Sequence, residues 1–181
     1  MSFADQLTLA RIALAPVVVL LFAVDFPHNA YWGTVVFCIA MSTDWFDGRI
    51  ARRRGVTSPL GSLLDPIADK VLVLAALVML IGQGVAPAWM VAAIVAREIA
   101  VSGLRLAALE RGVVMGARDL GKLKTWVQSA AAVLAGLQAA GAWSTDVAWW
   151  ALLAATLLTW ISGLDYARVA PRVLRGEASA L

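Results

Sequence analysis

Apolar residues in this chain form long runs that contain no Asp, Glu, Lys or Arg. Five such runs stand out, at residues 12–24, 26–43, 71–96, 125–145 and 147–164. Crossing the hydrocarbon core of a bilayer takes about 20 helical residues, so the last two runs suffice with little extension. The pattern therefore predicts membrane-spanning helices.

The third run contains a turn, because Gly82 to Pro87 reads Gly-Gln-Gly-Val-Ala-Pro. Each half keeps roughly ten uncharged residues, about 15 Å of helix at 1.5 Å per residue. Neither half spans alone, so one helix must begin near Leu60 and the next must continue to about Arg111. Six helices are predicted, at residues 6–25, 30–53, 60–82, 87–111, 120–141 and 146–168.

Composition supports the same conclusion. Apolar residues make up 61% and charged residues 15% of the 181 residues, against about 45–50% and 25% in soluble domains. The mean hydropathy is +0.81. These values exclude a disordered chain and, despite the basic pI, a nucleic-acid-binding domain, while a single cysteine excludes an intrachain disulfide. We predict an all-α polytopic membrane protein with one domain over residues 1–181.

Basic residues predict the orientation. The loops at 25–30, 83–86 and 142–146 contain none of the 15 Lys and Arg residues, which gather towards the opposite ends of the helices. By the positive-inside rule, both termini face the cytoplasm.

Four aspartates lie on the predicted second and third helices. Asp44 and Asp47 are three residues apart, and Asp65 and Asp69 are four apart. These spacings place each pair on one helix face. The short turn at 53–59 predicts that the two helices are antiparallel neighbours, so the pairs can converge.

Converging carboxylates in a low dielectric need compensating cations. Hard divalent ions with oxygen ligands, Mg²⁺ or Mn²⁺, supply them, and two ions about 3.5–4 Å apart can clamp a transferring phosphoryl group. Gly48, Ala51 and Gly61 lack bulk where a ligand can approach. Arg52 can offer a planar fork to a phosphate.

The segment from Asp44 to Asp69 resembles the signature of the CDP-alcohol phosphatidyltransferase family, D-x2-D-G-x2-A-R-x8-G-x3-D-x3-D, at every fixed position. The resemblance implies six helices, a homodimer, and displacement of CMP from a CDP-linked lipid by an alcohol. It implies that Asp44, Asp47, Asp65 and Asp69 hold two metal ions and that Asp69 is the base. The CDP-lipid site implied is Asp47, Gly48, Ala51, Arg52 and Gly61.

Three further segments indicate which alcohol is the acceptor. Residues 7–11, 97–105 and 121–128 resemble family members that use CDP-diacylglycerol and glycerol 3-phosphate, in a bacterial inner membrane with the active site towards the cytoplasm. Arg97 and Arg105 are eight apart, nearly on one face, and deep enough to need an anion such as a phosphate. The expected acceptor-phosphate residues are Thr8, Arg11, Arg97, Arg105, Lys122 and Lys124.

Other functions stay open at this point. Within the family, the acceptor could be phosphatidylglycerol, as in a cardiolipin-synthase-like reaction, or inositol phosphate. A cation transporter could also use carboxylates on helices broken by glycine. That function gives no reason for the Gly, Ala and Arg positions of the motif, whereas the family reaction does.

Overall fold

The computed structural model describes residues 3–54, 59–110, 119–143 and 146–174, without the side chains of residues 3–8, 44–54, 59–66, 69, 119, 122, 169, 170 and 172–174. These ranges contain six α-helices and no strand, which confirms the all-α prediction. The helices are α1 (Phe3–Ala23), α2 (Asn29–Arg54), α3 (Pro59–Gly82), α4 (Ala88–Glu110), α5 (Asp119–Ala139) and α6 (Val147–Leu174).

The helix bounds agree closely with the prediction except at the end of α6. Hydropathy falls after Leu164, which placed the predicted end at residue 168, but the helix continues to Leu174. Alanine, arginine and leucine favour helix whether or not they face an apolar surrounding. Pro171 lies in the last turn and removes one backbone hydrogen bond, the one that an N–H at this position would donate to the carbonyl of Ala167.

Three connections lie together at one end of the bundle, here called the turn end: residues 24–28, residues 83–87, and the described residues 140–143 and 146. The Gln83 amide donates a 3.0 Å hydrogen bond to the carbonyl of Phe22, which joins the second turn to the end of α1. Gly84 and Gly141 adopt φ of 73° and 84°, a region that glycine enters without steric cost. Short turns therefore reverse the chain where the sequence lacks basic residues.

The helices pack around a core of large apolar side chains. α1 lies against both α2 and α3, α5 contacts α2, α3 and α6, and α4 packs on α6. Among the described residues, α2 and α3 share few contacts with each other. Most of the contacts of each are with α1 and α5. The apolar core, as we call it, includes Val18, Phe22, Phe37, Leu72, Leu77, Leu80, Met90 and Ile94.

Small residues bring some helices unusually close. A Cβ atom at Gly136 on α5 would lie 2.1 Å from the hydroxyl oxygen of Thr34 on α2. A Cβ at Gly33 on α2 would lie 2.8 Å from the ring of Phe22 on α1. These contacts fix the spacing of α1, α2 and α5.

One helical segment in the described part of the chain, Val147–Arg168, is long and apolar enough by length and composition to cross a membrane. Leu9–Ala23 and Lys70–Gly82 are shorter apolar segments. The remaining helices carry charged residues that interrupt their apolar stretches, as the sequence analysis anticipated for α3 and α4.

Candidate active site

The motif aspartates lie on consecutive helices. Asp44 and Asp47 belong to the second half of α2, and Asp65 and Asp69 to the first half of α3. Both pairs therefore flank the same connection between the helices. Their side chains lie outside the described residues, and the described side chains contain no group of three or more His, Cys, Asp or Glu that could hold a metal ion. The metal site stays a prediction.

Other predicted site residues also have only their backbone described. Gly48, Ala51 and Arg52 lie on α2, and Gly61 lies on α3, as the motif requires. In addition, Thr8 lies on α1 and Lys122 on α5. Their assignments to the CDP-lipid and to the acceptor remain predictions.

A buried carboxylate on α4, Glu98, joins three helices. Its Oε1 accepts hydrogen bonds from Arg97 Nη1 at 3.0 Å, from Lys124 Nζ, and from Gln128 Nε2 at 3.4 Å. Lys70 Nζ, on α3, lies 3.9 Å from the other oxygen, Oε2. Arg97, Glu98 and Lys124 are 4%, 3% and 7% exposed, so burial strengthens these charge contacts.

The same group extends to α6. Arg97 Nη2 donates a 2.9 Å hydrogen bond to Ser162 Oγ, and Gln128 Nε2 donates a 2.7 Å bond to Thr159 Oγ1. We call this group the Glu98 cluster. Its members are Lys70, Arg97, Glu98, Ser102, Lys124, Gln128, Thr159 and Ser162.

Regular helical spacing brings these side chains together. Lys124 and Gln128 are four residues apart on α5, and Thr159 and Ser162 are three apart on α6, so each pair shares a face. On α4, the Ser102 hydroxyl donates a 2.6 Å hydrogen bond to the carbonyl of Glu98, one turn earlier. The cluster therefore lies near the midpoints of α3, α4 and α6, inside the bundle.

Glycine makes room for the arginine of the cluster. A Cβ at Gly163 on α6 would lie 3.1 Å from both Cγ and Nε of Arg97, closer than ordinary van der Waals contact. The ring centroid of Tyr166, one turn further along α6, lies 6.0 Å from the Arg97 guanidinium carbon, within reach of a cation–π contact. Both residues support the buried side chain of Arg97.

Arg97 and Lys124, both predicted to bind the acceptor phosphate, meet at Glu98. The anion that the depth of Arg97 requires is therefore present in the chain itself. Arg11 on α1 is buried, and Arg105 on α4 is half-buried. Three cations and one carboxylate leave the Glu98 cluster with two positive charges. An anion with two negative charges would neutralise it.

Glu98 is not among the site residues predicted from the sequence, although it lies on a predicted span directly after Arg97. A carboxylate at that depth is costly unless it is paired, which was the available signal. Gln128, Thr159 and Ser162 gave no such signal, because isolated polar residues are ordinary in apolar helices. Their role depends on contacts between helices.

Comparison with known proteins supports the family that the motif indicates. The CDP-alcohol phosphatidyltransferase family profile matches residues 1–161. A Bacillus subtilis (strain 168) protein named CDP-diacylglycerol–glycerol-3-phosphate 3-phosphatidyltransferase is 43% identical over 136 residues, 68% of this chain and 70% of that protein. A Mycobacterium tuberculosis (strain H37Rv) protein named probable phosphatidylglycerophosphate synthase is 39% identical over 178 residues, 97% and 84% of the two chains. An Escherichia coli (strain K12) protein with the same name as the Bacillus protein is 39% identical over 130 residues, 69% and 71%.

Proposed function

The chain belongs to the CDP-alcohol phosphatidyltransferase family, and on that premise we propose that it transfers the phosphatidyl group of CDP-diacylglycerol to glycerol 3-phosphate, with release of CMP. The observation that carries the proposal is the identity of 39–43% to relatives named for this reaction or its product. The two positive charges of the Glu98 cluster suit the phosphate of this acceptor.

The six helices are proposed to span a bacterial inner membrane, with both termini and the active site towards the cytoplasm. Their lengths, from 21 to 28 residues, meet the requirement of about 20. Trp32, Trp89 and Trp150 lie near the turn end and are exposed. Tryptophan is common at membrane–water interfaces, so these residues suit the membrane surface opposite to the cytoplasmic one. A homodimer, implied by the family resemblance, is part of the proposal.

Asp44, Asp47, Asp65 and Asp69 are proposed to hold two Mg²⁺ or Mn²⁺ ions. Carboxylate oxygens are the ligands that these ions prefer, and both pairs lie on the halves of α2 and α3 that adjoin one connection, which supports the proposal. When bound, the ions supply positive charge beside the pyrophosphate and the departing CMP.

The side chains of the motif are proposed to accept the proton of the acceptor and to bind the CDP-lipid. Asp69 accepts the proton of the glycerol 3-phosphate hydroxyl as that oxygen attacks the β-phosphorus of CDP-diacylglycerol. The motif contains no Ser, Cys or His with a partnered base, which a covalent route would need, so the displacement is direct and in line. Asp47, Gly48, Ala51, Arg52 and Gly61 bind the CDP-lipid.

The acceptor phosphate is drawn to positive charge on α1, α4 and α5. The residues proposed for it are Thr8, Arg11, Arg97, Arg105, Lys122 and Lys124. Serine or inositol would not require so many cations, whereas a phosphate dianion does.

The decisive experiment measures CMP release by the purified protein from CDP-diacylglycerol with Mg²⁺. We expect release only when glycerol 3-phosphate is added. Release with phosphatidylglycerol or inositol phosphate instead would replace the acceptor, and no release with any of the three would overturn the proposal.

Three variants test the aspartates. Asp44→Asn, Asp65→Asn and Asp69→Asn each remove a metal ligand or the base, so we expect CMP release to fall by at least about a hundredfold. Asp146→Asn, an exposed aspartate at the turn end, is the matched control and keeps full activity. Release at the wild-type rate by any of the three motif variants would refute the two-metal site.

The direct displacement has a stereochemical consequence. One in-line attack inverts the configuration at phosphorus, whereas a covalent intermediate gives two inversions and net retention. A CDP-diacylglycerol substrate that is chiral at the β-phosphorus distinguishes them. Net retention, or a trapped phosphatidyl-enzyme, would contradict the mechanism.

A further inference from the structure

Lys70 differs from the other cations of the Glu98 cluster in its exposure. Its side chain is 31% exposed, whereas the side chains of Arg97 and Lys124 are 3% and 9% exposed. It also follows Asp69, the proposed base, directly in the chain. The cluster therefore includes one partly exposed lysine side chain, on the same turn of α3 as the predicted base.

Two groups on α4 hold this ammonium. Lys70 Nζ donates a 2.5 Å hydrogen bond to Ser102 Oγ and lies 3.9 Å from Glu98 Oε2. Ser102 can accept this bond because its own proton is donated to the carbonyl of Glu98 at 2.6 Å. An ammonium has three N–H donors, so Ser102 takes one and the others can reach a ligand.

The buried cations are committed differently. Arg97 and Lys124 both donate to Glu98 Oε1, which Gln128 also reaches. These contacts fix both cations inside the bundle, where their charge adds to the local positive potential. Among the three cations of the cluster, Lys70 is thus the one whose side chain is partly exposed.

We propose that Lys70 binds the phosphate of the acceptor and that Ser102 and Glu98 position its ammonium. The proposal rests on the proposed function and adds a residue to its acceptor site. Glycerol 3-phosphate carries its phosphate and its reacting hydroxyl at opposite ends of a three-carbon chain. A phosphate at Lys70 therefore brings that hydroxyl to the turn of α3 that carries Asp69.

Steady-state CMP release by the full-length protein tests the role of Lys70. In Lys70→Gln, we expect the KM for glycerol 3-phosphate to rise about tenfold and the KM for CDP-diacylglycerol to stay within twofold, because one charged contact to the acceptor alone is lost. Lys70→Arg keeps the charge and should recover most of the loss. Arg168→Gln, which removes an exposed cation of α6, is the control and changes neither constant.

Two results would overturn the assignment. An unchanged KM for glycerol 3-phosphate in Lys70→Gln would mean that the ammonium does not contact the acceptor. An equal rise in both constants would mean that Lys70 supports the fold or the phosphate of the lipid donor instead.

A double-mutant cycle tests the positioning by Ser102. Ser102→Ala should raise the KM for glycerol 3-phosphate about threefold, because Lys70 keeps its charge but loses its 2.5 Å hydrogen-bond partner. In the Lys70→Gln background, the same change should have no further effect, since the ammonium is absent. Additive effects would contradict positioning through Lys70.

Direct binding separates this proposal from the proposed function. Calorimetric titration with glycerol 3-phosphate needs no turnover, and Lys70→Gln should bind it about tenfold more weakly than the wild type does. Equal affinity would overturn the role of Lys70 even if wild-type CMP release requires glycerol 3-phosphate. Conversely, weaker binding without CMP release would retain the Lys70 site and refute the reaction.

Discussion

The apolar core and the Glu98 cluster are two buried regions of one bundle, the first stabilised by close packing and the second by hydrogen bonds between charged groups. Phe37, Leu72 and Leu77 in the apolar core are at most 1% exposed and meet only the general requirement of close packing. In the cluster, Glu98 is also buried, at 3% exposure, but a single oxygen of it accepts hydrogen bonds from donors on two helices. The apolar core tolerates apolar side chains of suitable volume, whereas each charged group of the cluster depends on a particular partner.

This difference separates stability from specificity. Burial of apolar area is non-directional, so its contribution follows the volume removed. A buried charge contributes through its partner, and loss of the partner leaves an uncompensated ion. We therefore expect changes in the apolar core to lower stability alone, and changes in the cluster to affect both stability and acceptor use.

The largest expected effect on stability follows removal of the central carboxylate. Glu98→Leu leaves Arg97 and Lys124 buried beside each other without a counter-charge, which should lower the free energy of unfolding by about 4 kcal/mol. Denaturant unfolding in detergent measures it. Glu110→Leu, an exposed change on the same helix, is the control, with an effect of at most about 0.5 kcal/mol. A fully stable Glu98→Leu would show that the charges of the cluster do not depend on one another.

Leu77→Ala tests the expectation that changes in the apolar core lower stability alone. Leu77 is fully buried, and its truncation should cost about 3 kcal/mol of unfolding free energy. The KM for glycerol 3-phosphate should not change for the protein that remains folded. Val78→Ala, at the exposed neighbouring position, should cost less than about 1 kcal/mol. A changed KM in Leu77→Ala would show that the two buried regions are coupled.

A smaller effect is expected where helices approach closely. Gly136→Ala would place a methyl group 2.1 Å from Thr34 Oγ1, so α2 and α5 must separate, at a cost of about 2 kcal/mol. Thermal unfolding of this variant can be compared with Gly103→Ala, where nothing lies within 4 Å and the higher helix propensity of alanine should stabilise by up to about 1 kcal/mol. Addition of Thr34→Ala to Gly136→Ala should restore part of the loss, and no recovery would argue against the contact.

The smallest loss of stability is expected at Thr159, the α6 residue that accepts the hydrogen bond from Gln128. Thr159→Val keeps the shape of the side chain but removes the acceptor of the 2.7 Å bond from Gln128, at a cost of about 1 kcal/mol. Thr156→Val is the matched control, since the Thr156 hydroxyl donates a hydrogen bond within its own helix, to the carbonyl of Leu152. Equal losses in the two variants would mean that the bond between helices adds nothing specific.

Much of the fold could be predicted from the sequence, because charges and turn residues mark where helices begin and end. Gly84 and the prolines beside the turns are local signals, and α3 and α4 follow from them. The motif likewise depends on spacing within one stretch of chain. The end of α6 at Leu174 was not predicted, since hydropathy measures the apolar surface of a helix and not its backbone.

The partners in the Glu98 cluster could not be predicted from the sequence. Glu98 meets Lys124 from 26 positions away, and Arg97 meets Ser162 from 65 positions away. Such pairs depend on which helices are neighbours and on their rotation about their axes. The short connection predicts that α2 and α3 are antiparallel neighbours. Among the described residues these two helices are in contact, and α1 and α5 provide most of the contacts that each of them makes.

The adjacent charges of Arg97 and Glu98 have a consequence for biosynthesis. Their side chains meet at 3.0 Å on one helix, so α4 brings its own counterion. On the proposed membrane placement, a single charge at mid-bilayer costs about 2.5–3.5 kcal/mol during translocon-mediated insertion. Mutual neutralisation lets α4 enter the lipid before the ribosome has made α5 and α6. On that placement, we expect α4 to insert without waiting for Lys124 of α5, which contacts Glu98 in the folded bundle.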